Sequence, residues 1–195
     1  DVYNSMMVAK PLQLYDCCPI SDGASAAVIV PADVAKNLTD KPVQILGLGQ
    51  ASAGGLSTQR DYTLPIARTV SAKMAYEMAG VKPQDIDVCE LHDCFTIAEI
   101  VATEGLGFCE PGDGWQAVMR GDTQIGGKIP VSASGGLKSK GHPVGATGTA
   151  QVYEIVNQLR GECGERQVEG AKMGMTDTLG GPYASIVNII LKRGW

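Results

Sequence analysis

His142 stands in Lys140-Gly141-His142-Pro143-Val144-Gly145-Ala146-Thr147-Gly148, a glycine-rich approach to an apolar, helix-like segment. His92 stands in Glu90-Leu91-His92-Asp93-Cys94-Phe95, where an apolar run from Ile86 gives way to helical spacing. The chain has 2 histidines, and these are both of them. Two imidazoles, one of them two residues from a thiol, can polarise a carbonyl, activate a nucleophile and move a proton near neutral pH. The chemistry favoured is acyl transfer or the making and breaking of carbon–carbon bonds.

The residues around them admit two readings each. Glycines 135, 136, 141, 145 and 148 let backbone N–H groups approach a ligand, and the following helix turns its positive end toward the loop, so an oxyanion or phosphate is one occupant. Gly135, Gly136 and Gly145 are then ligand contacts, whereas the bland alternative is a structural glycine turn. Cys94 is either a small buried hydrophobe or an acid/base or nucleophilic thiol, with a helix start and an imidazolium favouring the thiolate and Asp93 opposing it. Asp93 either orients an imidazole or bonds backbone amides. Gly180 and Gly181 either set an N–H against a substrate carbonyl or make a tight hairpin. Lys138 and Lys140 either meet a phosphate or lie in a solvated loop.

Positioning these residues falls to alternating strand and helix signals. Val43–Ala51 reads as a strand whose glycines permit close packing or a bulge. Residues 64–78 have helical spacing, with Ile66, Ala67, Val70, Ala72, Met74 and Ala75 apolar, and stop at Gly80. A strand over 86–91 ends at His92, and a helix runs from Thr96 to Glu104. Residues 105–127 are mostly loop with room for one short helix. A short strand over 129–134 precedes the His142 loop, a helix spans 147–159, and strands over 171–176 and 184–191 flank a turn at 179–183. This order predicts an α/β layered domain with a mixed sheet and helices on both faces. The first forty residues supply one apolar strand, 26–30, and a short helix over 31–37. They cannot close a core, so they are expected to pack on protein outside the chain.

Composition bounds the function. The 195 residues are 44% hydrophobic and 19% charged with a net charge of −5, which gives no basic footprint for nucleic acid. No apolar run is long enough to span a bilayer and no signal peptide opens the chain, so a soluble, cytoplasmic protein is expected. Six cysteines, at 17, 18, 89, 94, 109 and 163, show no disulfide framework and are expected to be reduced. Cys89 reads as core and Cys163 as part of an exposed turn. With no CxxC or HxxxH spacing, no metal site is expected.

Taken together, Cys17-Cys18-Pro19-Ile20-Ser21-Asp22-Gly23-Ala24, His92-Asp93-Cys94-Phe95 and Gly141–Gly148 resemble the thiolase superfamily, most closely its sterol-carrier-protein-type branch. Gly121-Asp122 with Gly126-Gly127-Lys128, and Ser134-Gly135-Gly136-Leu137-Lys138-Ser139-Lys140, extend the resemblance over nearly the whole chain. It is a resemblance to the carboxyl-terminal half only. It implies a thiolase-like fold, in which residues 1–40 complete an amino-terminal domain and 41–195 form the carboxyl-terminal domain.

The resemblance implies that His142 activates a nucleophilic cysteine absent from this chain, that His92 helps bind the thioester oxygen, and that Cys94 exchanges the proton at the substrate α-carbon. Many thiolases supply that last thiol from a Cys-x-Gly loop near the carboxyl terminus. Here the corresponding stretch, Gly174 to Gly181, has no cysteine, which fits the branch that uses the His-Asp-Cys-Phe thiol. Asp177 and Tyr183 depart from the residues expected in this loop, so the resemblance does not fix the substrate. The implied activity is thiolysis of 3-oxoacyl-CoA or the reverse Claisen condensation. Coenzyme A is a substrate, no metal or redox cofactor is implied, and the partners are acyl-CoA, the missing amino-terminal half and further copies in a homo-oligomer. The chain alone should be inactive. The alternatives are a thiolase-like aldolase acting on a β-hydroxyacyl-CoA and a noncatalytic acyl-CoA-binding or scaffolding subunit.

Overall fold

A computed structural model describes residues 1–194, and of Leu56 the backbone alone. The chain opens with a two-stranded hairpin, β1 (Met7–Ala9) and β2 (Leu12–Gln13), and a single helical turn, α1 (Ala32–Ala35). Between them Cys17 makes one antiparallel bridge with Phe95 and residues 18–30 run without strand pairing, so the expected strand over 26–30 does not form. Val28 and Ile29 are largely exposed there. A strand needs a neighbour to take up its N–H and C=O groups, and none reaches this segment among the described residues.

The main sheet is built from β3 (Val43–Ala51), β4 (Val88–Glu90), β5 (Met173–Gly180) and β6 (Ser185–Arg193) in the order β3-β6-β5-β4. β3 with β6 and β6 with β5 pair antiparallel, while β4 runs parallel to β5. Side-chain alternation divides the core into two layers. Cys89, Met175 and Ile190 pack with Ala72, Ala75 and Tyr76 of α2 (Ile66–Ala79). On the opposite face Val88 and Leu191 pack with Ile155 and Leu159 of the later helix over 147–160. The result is a mixed sheet with helices on both faces, as expected from the sequence.

Between β4 and β5 the chain forms α3 (Thr96–Gly105), α4 (Gly114–Arg120), the short α5 (Gly136–Ser139) and α6 (Thr147–Arg160). The strand expected over 129–134 is reduced to one parallel bridge, Cys89 with Val131. Pro130 has no N–H to donate and Ser132 turns to φ +48, so the ladder stops.

α2 turns a different face inward from the one its large apolar residues suggest. Ile66, Val70 and Met74 are exposed, while Ala67, Arg68, Ser71, Ala72 and Ala75 are buried. The reason lies in β3: a Cβ on Gly49 would stand 1.8 Å from the Ser71 carbonyl oxygen, and one on Gly47 2.2 Å from that of Ala75. Helix and strand backbones touch, so only small residues fit between them. A bulge also falls between Ile45 and Gly47. Cys163 is buried, not part of an exposed turn. Among the described residues no helix is long and apolar enough to cross a membrane.

Candidate active site

The parallel pairing of β4 with β5 builds the site. Register partners Glu90 and Thr176 set the carboxyl end of β4 beside the middle of β5, so the chain leaving β4 runs along the carboxyl half of β5, on the side where open α/β sheets gather ligand-binding residues. Continuing past Glu90, the chain delivers His92, 4% exposed, and Asp93 beside the end of β5. The Leu179 N–H of β5 donates to His92 Nδ1 at 3.4 Å. Nδ1 is therefore the acceptor nitrogen, and the proton of a neutral ring resides on Nε2.

His142 is oriented from its own helix. Its Nδ1 lies 2.7 Å from Thr147 Oγ1, and that hydroxyl donates its proton to the Pro143 carbonyl at 3.0 Å. The hydroxyl oxygen thus accepts from Nδ1–H, leaving Nε2 with a lone pair. His142 is set as a base and His92 as a donor. The two rings meet edge to face with centroids 4.8 Å apart and planes at 90°.

The amino-terminal segment holds this arrangement in place. Ser21 Oγ accepts the His142 N–H at 3.3 Å, a Cβ on Gly23 would lie 2.6 Å from the Pro143 ring, and the Cys18 N–H donates to the Cys94 carbonyl at 2.9 Å. Ser21 and Gly23, which belong to one of the motifs that carry the resemblance, therefore buttress the His142 loop.

Buried carboxylates fix the rest of the loop. Glu90, fully buried, accepts from the Ser134 N–H (3.0 Å), Ser134 Oγ (2.6 Å) and Lys140 Nζ (3.2 Å). Asp93 Oδ1 accepts the Leu137 N–H at 2.8 Å, so of its two readings the backbone one is realised, on α5 rather than on α3. Gly136 adopts φ +61, and a Cβ there would stand 1.9 Å from Asp93 Oδ2. The Gly135 N–H donates to Ser132 O and the Gly136 N–H to Ser134 Oγ, so both amides have partners within the loop. Gly145 faces open space. Lys138 Nζ donates to the Tyr15 carbonyl, and Lys140 is engaged by Glu90 and Ser134. Gly180 and Gly181 are exposed at the β5–β6 turn, with Gly181 at φ +61.

Electrostatics follow burial. Desolvation, with His142 beside it, pushes His92 down to about 4, and burial also lowers His142, with Asp93 opposing. Burial, then Cys18 and Asp93, push the Cys94 thiol up to about 11. Thiolate character is not favoured: Asp93 opposes it as the sequence suggests, and the helix start and a neutral His92 do not offset desolvation. A protonated thiol there suits proton donation. Among the described residues no three His, Cys, Asp or Glu side chains converge as a metal site.

One buried pair escaped the sequence reading. Arg68 of α2 and Asp177 of β5, both fully buried, join across the core, with Nη2 3.0 Å from Oδ2. No local signal marks it, because the partners lie far apart in the chain.

Residues 49–193 match the thiolase carboxyl-terminal domain family (Thiolase C-terminal domain-like). The chain is 54% identical over 193 residues to an acetyl-CoA acetyltransferase of Methanothermobacter thermautotrophicus, covering 98% of the chain and 50% of that protein. It is 43% identical to human sterol carrier protein 2, covering 97% of the chain and 36% of that protein. Benzoylsuccinyl-CoA thiolase subunit BbsB of Thauera aromatica is 40% identical over 93% of the chain and 48% of its own length. Among solved structures, the Ltp2-ChsH2(DUF35) aldolase superimposes with a TM-score of 0.85 at 25% identity, covering 97% of this chain and 49% of that one. The chain thus spans half or less of the length of these relatives. With residues 49–193, more than half of its length, matched by the family model, the chain belongs to the thiolase family, and the matched part is its carboxyl-terminal-domain-like region.

Proposed function

We propose that this chain is the carboxyl-terminal catalytic portion of a thiolase-type acyltransferase, cleaving 3-oxoacyl-CoA with coenzyme A or running the reverse Claisen condensation. The observation that carries the reading is the opposite setting of two touching imidazoles, His142 with a free Nε2 and His92 with Nε2–H. His142 takes the proton of a cysteine thiol supplied by protein outside this chain. The thiolate attacks the 3-oxo carbonyl, the C2–C3 bond breaks, and its electron pair leaves as an acetyl-CoA enolate. His92 Nε2–H stabilises the enolate oxygen, and Cys94 donates the proton that C2 takes up. Coenzyme A then gives its thiol proton to the Cys94 thiolate and attacks the acyl-enzyme, the new thioester forms as the enzyme cysteine leaves, and His142 returns the proton to that cysteine. Gly180, Gly181 and the open Gly145 are the backbone positions we assign to substrate.

The partner half is supported by an apolar groove of about 850 Å³ lined by Val28, Ile29, Val43, Val152, Val187 and Ile189. A domain that leaves this much apolar surface on its sheet face expects a cover. The relatives' greater lengths support the same reading.

Incubation with acetoacetyl-CoA and CoA tests the proposal. The complete protein should form acetyl-CoA at about 1 per second or faster, and this chain alone should form none. Turnover by the rigorously purified chain would refute the need for an outside cysteine. An inert complete protein that instead splits a β-hydroxyacyl-CoA would favour the aldolase reading, for which the 0.85 superposition on an aldolase is the specific support.

A further inference from the structure

Arg68 lies on the buried face of α2, and its stem passes Gly105 of α3, where a Cβ would stand 2.9 Å from Arg68 Cδ. At its end the guanidinium Nε donates to both Asp177 carboxylate oxygens, at 3.1 and 3.2 Å. Asn188, the register partner of Asp177 on β6, donates Nδ2 to Asp177 Oδ1 at 3.0 Å. The same guanidinium lies 5.6 Å from the centre of the Tyr183 ring, a distance at which a cation is attracted to the ring face. Tyr183 itself is held at φ +59, a left-handed conformation that a bulky side chain rarely adopts.

A buried ion pair is a poor source of stability, because desolvating two charges offsets most of their attraction. What a rigid guanidinium fork does well is fix orientation. Asp177 lies in β5, three residues before its last residue Gly180, and Tyr183 lies within the β5–β6 turn. Between them lies Leu179, whose N–H reaches His92 Nδ1. We propose that Arg68, acting with Asp177, is a positioning residue for the thiolase-type reaction. It fastens β5 at Asp177 and the β5–β6 turn at Tyr183 so that the Leu179 N–H meets His92 Nδ1 and the His92 proton stays on Nε2, where the oxyanion forms. This assignment rests on His92 being the oxyanion donor.

The test uses the complete enzyme carrying Arg68→Met together with Asp177→Leu, which removes both charges at similar volume, beside Arg68→Lys, which keeps a cation without the planar fork. In the double variant kcat should fall about 10- to 100-fold, the cost of a small misplacement of a reacting group, with KM little changed. Arg68→Lys should show a smaller loss in the same direction. Imidazole ¹⁵N spectra, assigned with His92→Asn, should report protonated Nε2 in the parent and a mixture of tautomers in the double variant. Either an unchanged kcat or an unchanged His92 tautomer overturns the assignment. If the double variant does not fold, Arg68→Lys carries the same two readouts. If the parent enzyme neither cleaves 3-oxoacyl-CoA nor condenses acetyl-CoA, the proposed activity fails, and the tautomer comparison still decides whether Arg68 sets the imidazole.

Discussion

His92 and His142 touch edge to face, with 4.8 Å between ring centroids, yet each is held through its Nδ1 by a different part of the fold: one by the Leu179 amide of β5, the other by the Thr147 hydroxyl of α6. Two identical side chains in contact are thereby left with opposite hydrogen-bonding character at Nε2. One offers a proton and the other a lone pair.

In the complete enzyme His142→Ala should suppress formation of the acyl-enzyme. Cys94→Ala should leave acyl transfer from acetyl-CoA measurable while lowering α-proton exchange and condensation about 100- to 10,000-fold, the usual contribution of a positioned acid or base. Mass spectrometry of the acyl-enzyme and deuterium exchange into acetyl-CoA separate the two steps. Undiminished exchange in Cys94→Ala would remove the role assigned to this thiol.

His92 should make the protein lose stability toward acid. Its value in the folded state, about 4, lies below the ordinary 6.5, so the unfolded chain takes up the proton first as pH falls. The contribution is complete above 6.5, is lost between 6.5 and 4, and changes no further below that. The window corresponds to on the order of 3 kcal/mol. Burial pushes the carboxyls of Glu90, Asp93 and Glu99 up, which acts in the opposite sense. The comparison is therefore with His92→Asn: urea midpoints measured from pH 7 to 4 should fall more steeply in the parent, and parallel curves would contradict the burial cost assigned to this ring.

Gly49→Ala should be among the most damaging single substitutions outside the site. The new methyl would overlap the Ser71 carbonyl oxygen at 1.8 Å, and neither backbone can yield without parting α2 from β3. A loss of about 3 kcal/mol or more is expected, at the upper end for overpacking. Denaturant unfolding measures it, and a loss under about 1 kcal/mol would mean that helix and strand do not touch as described.

Residues 26–30 should exchange their amide hydrogens quickly in this chain, because they are unpaired and largely exposed. Joined to the remaining half, the same amides should become protected as the groove beside them is covered. Equal exchange in both forms would place the partner elsewhere.

Much of the layout was legible in the sequence because local spacing encodes local structure. The strand at 43–51, the helix ending at Gly80 and the helix beginning at Thr147 follow from periodicity and stop signals, and the structure has all three. Where the reading failed, the cause was a remote contact, or its lack, at two places and local backbone geometry at one. The apolar run at 26–30 found no neighbouring strand, the 129–134 run was cut short by the backbone at Pro130 and Ser132, and α2 buried its small residues because the β3 glycines left no room for larger ones.

The same division holds at the site. His92, Cys94 and His142 stand out in the sequence by residue type and by the glycine and helix signals around them, and those signals suffice to mark a reactive cluster and a family. Sequence could not say which nitrogen of each ring carries the proton, that the Cys94 thiol is kept protonated, or that Arg68 crosses the core to Asp177. Those properties depend on partners 87 residues away for His92 and 109 for Arg68. Only the register of a folded sheet brings such partners within hydrogen-bonding distance, and only burial sets the cost of charging them.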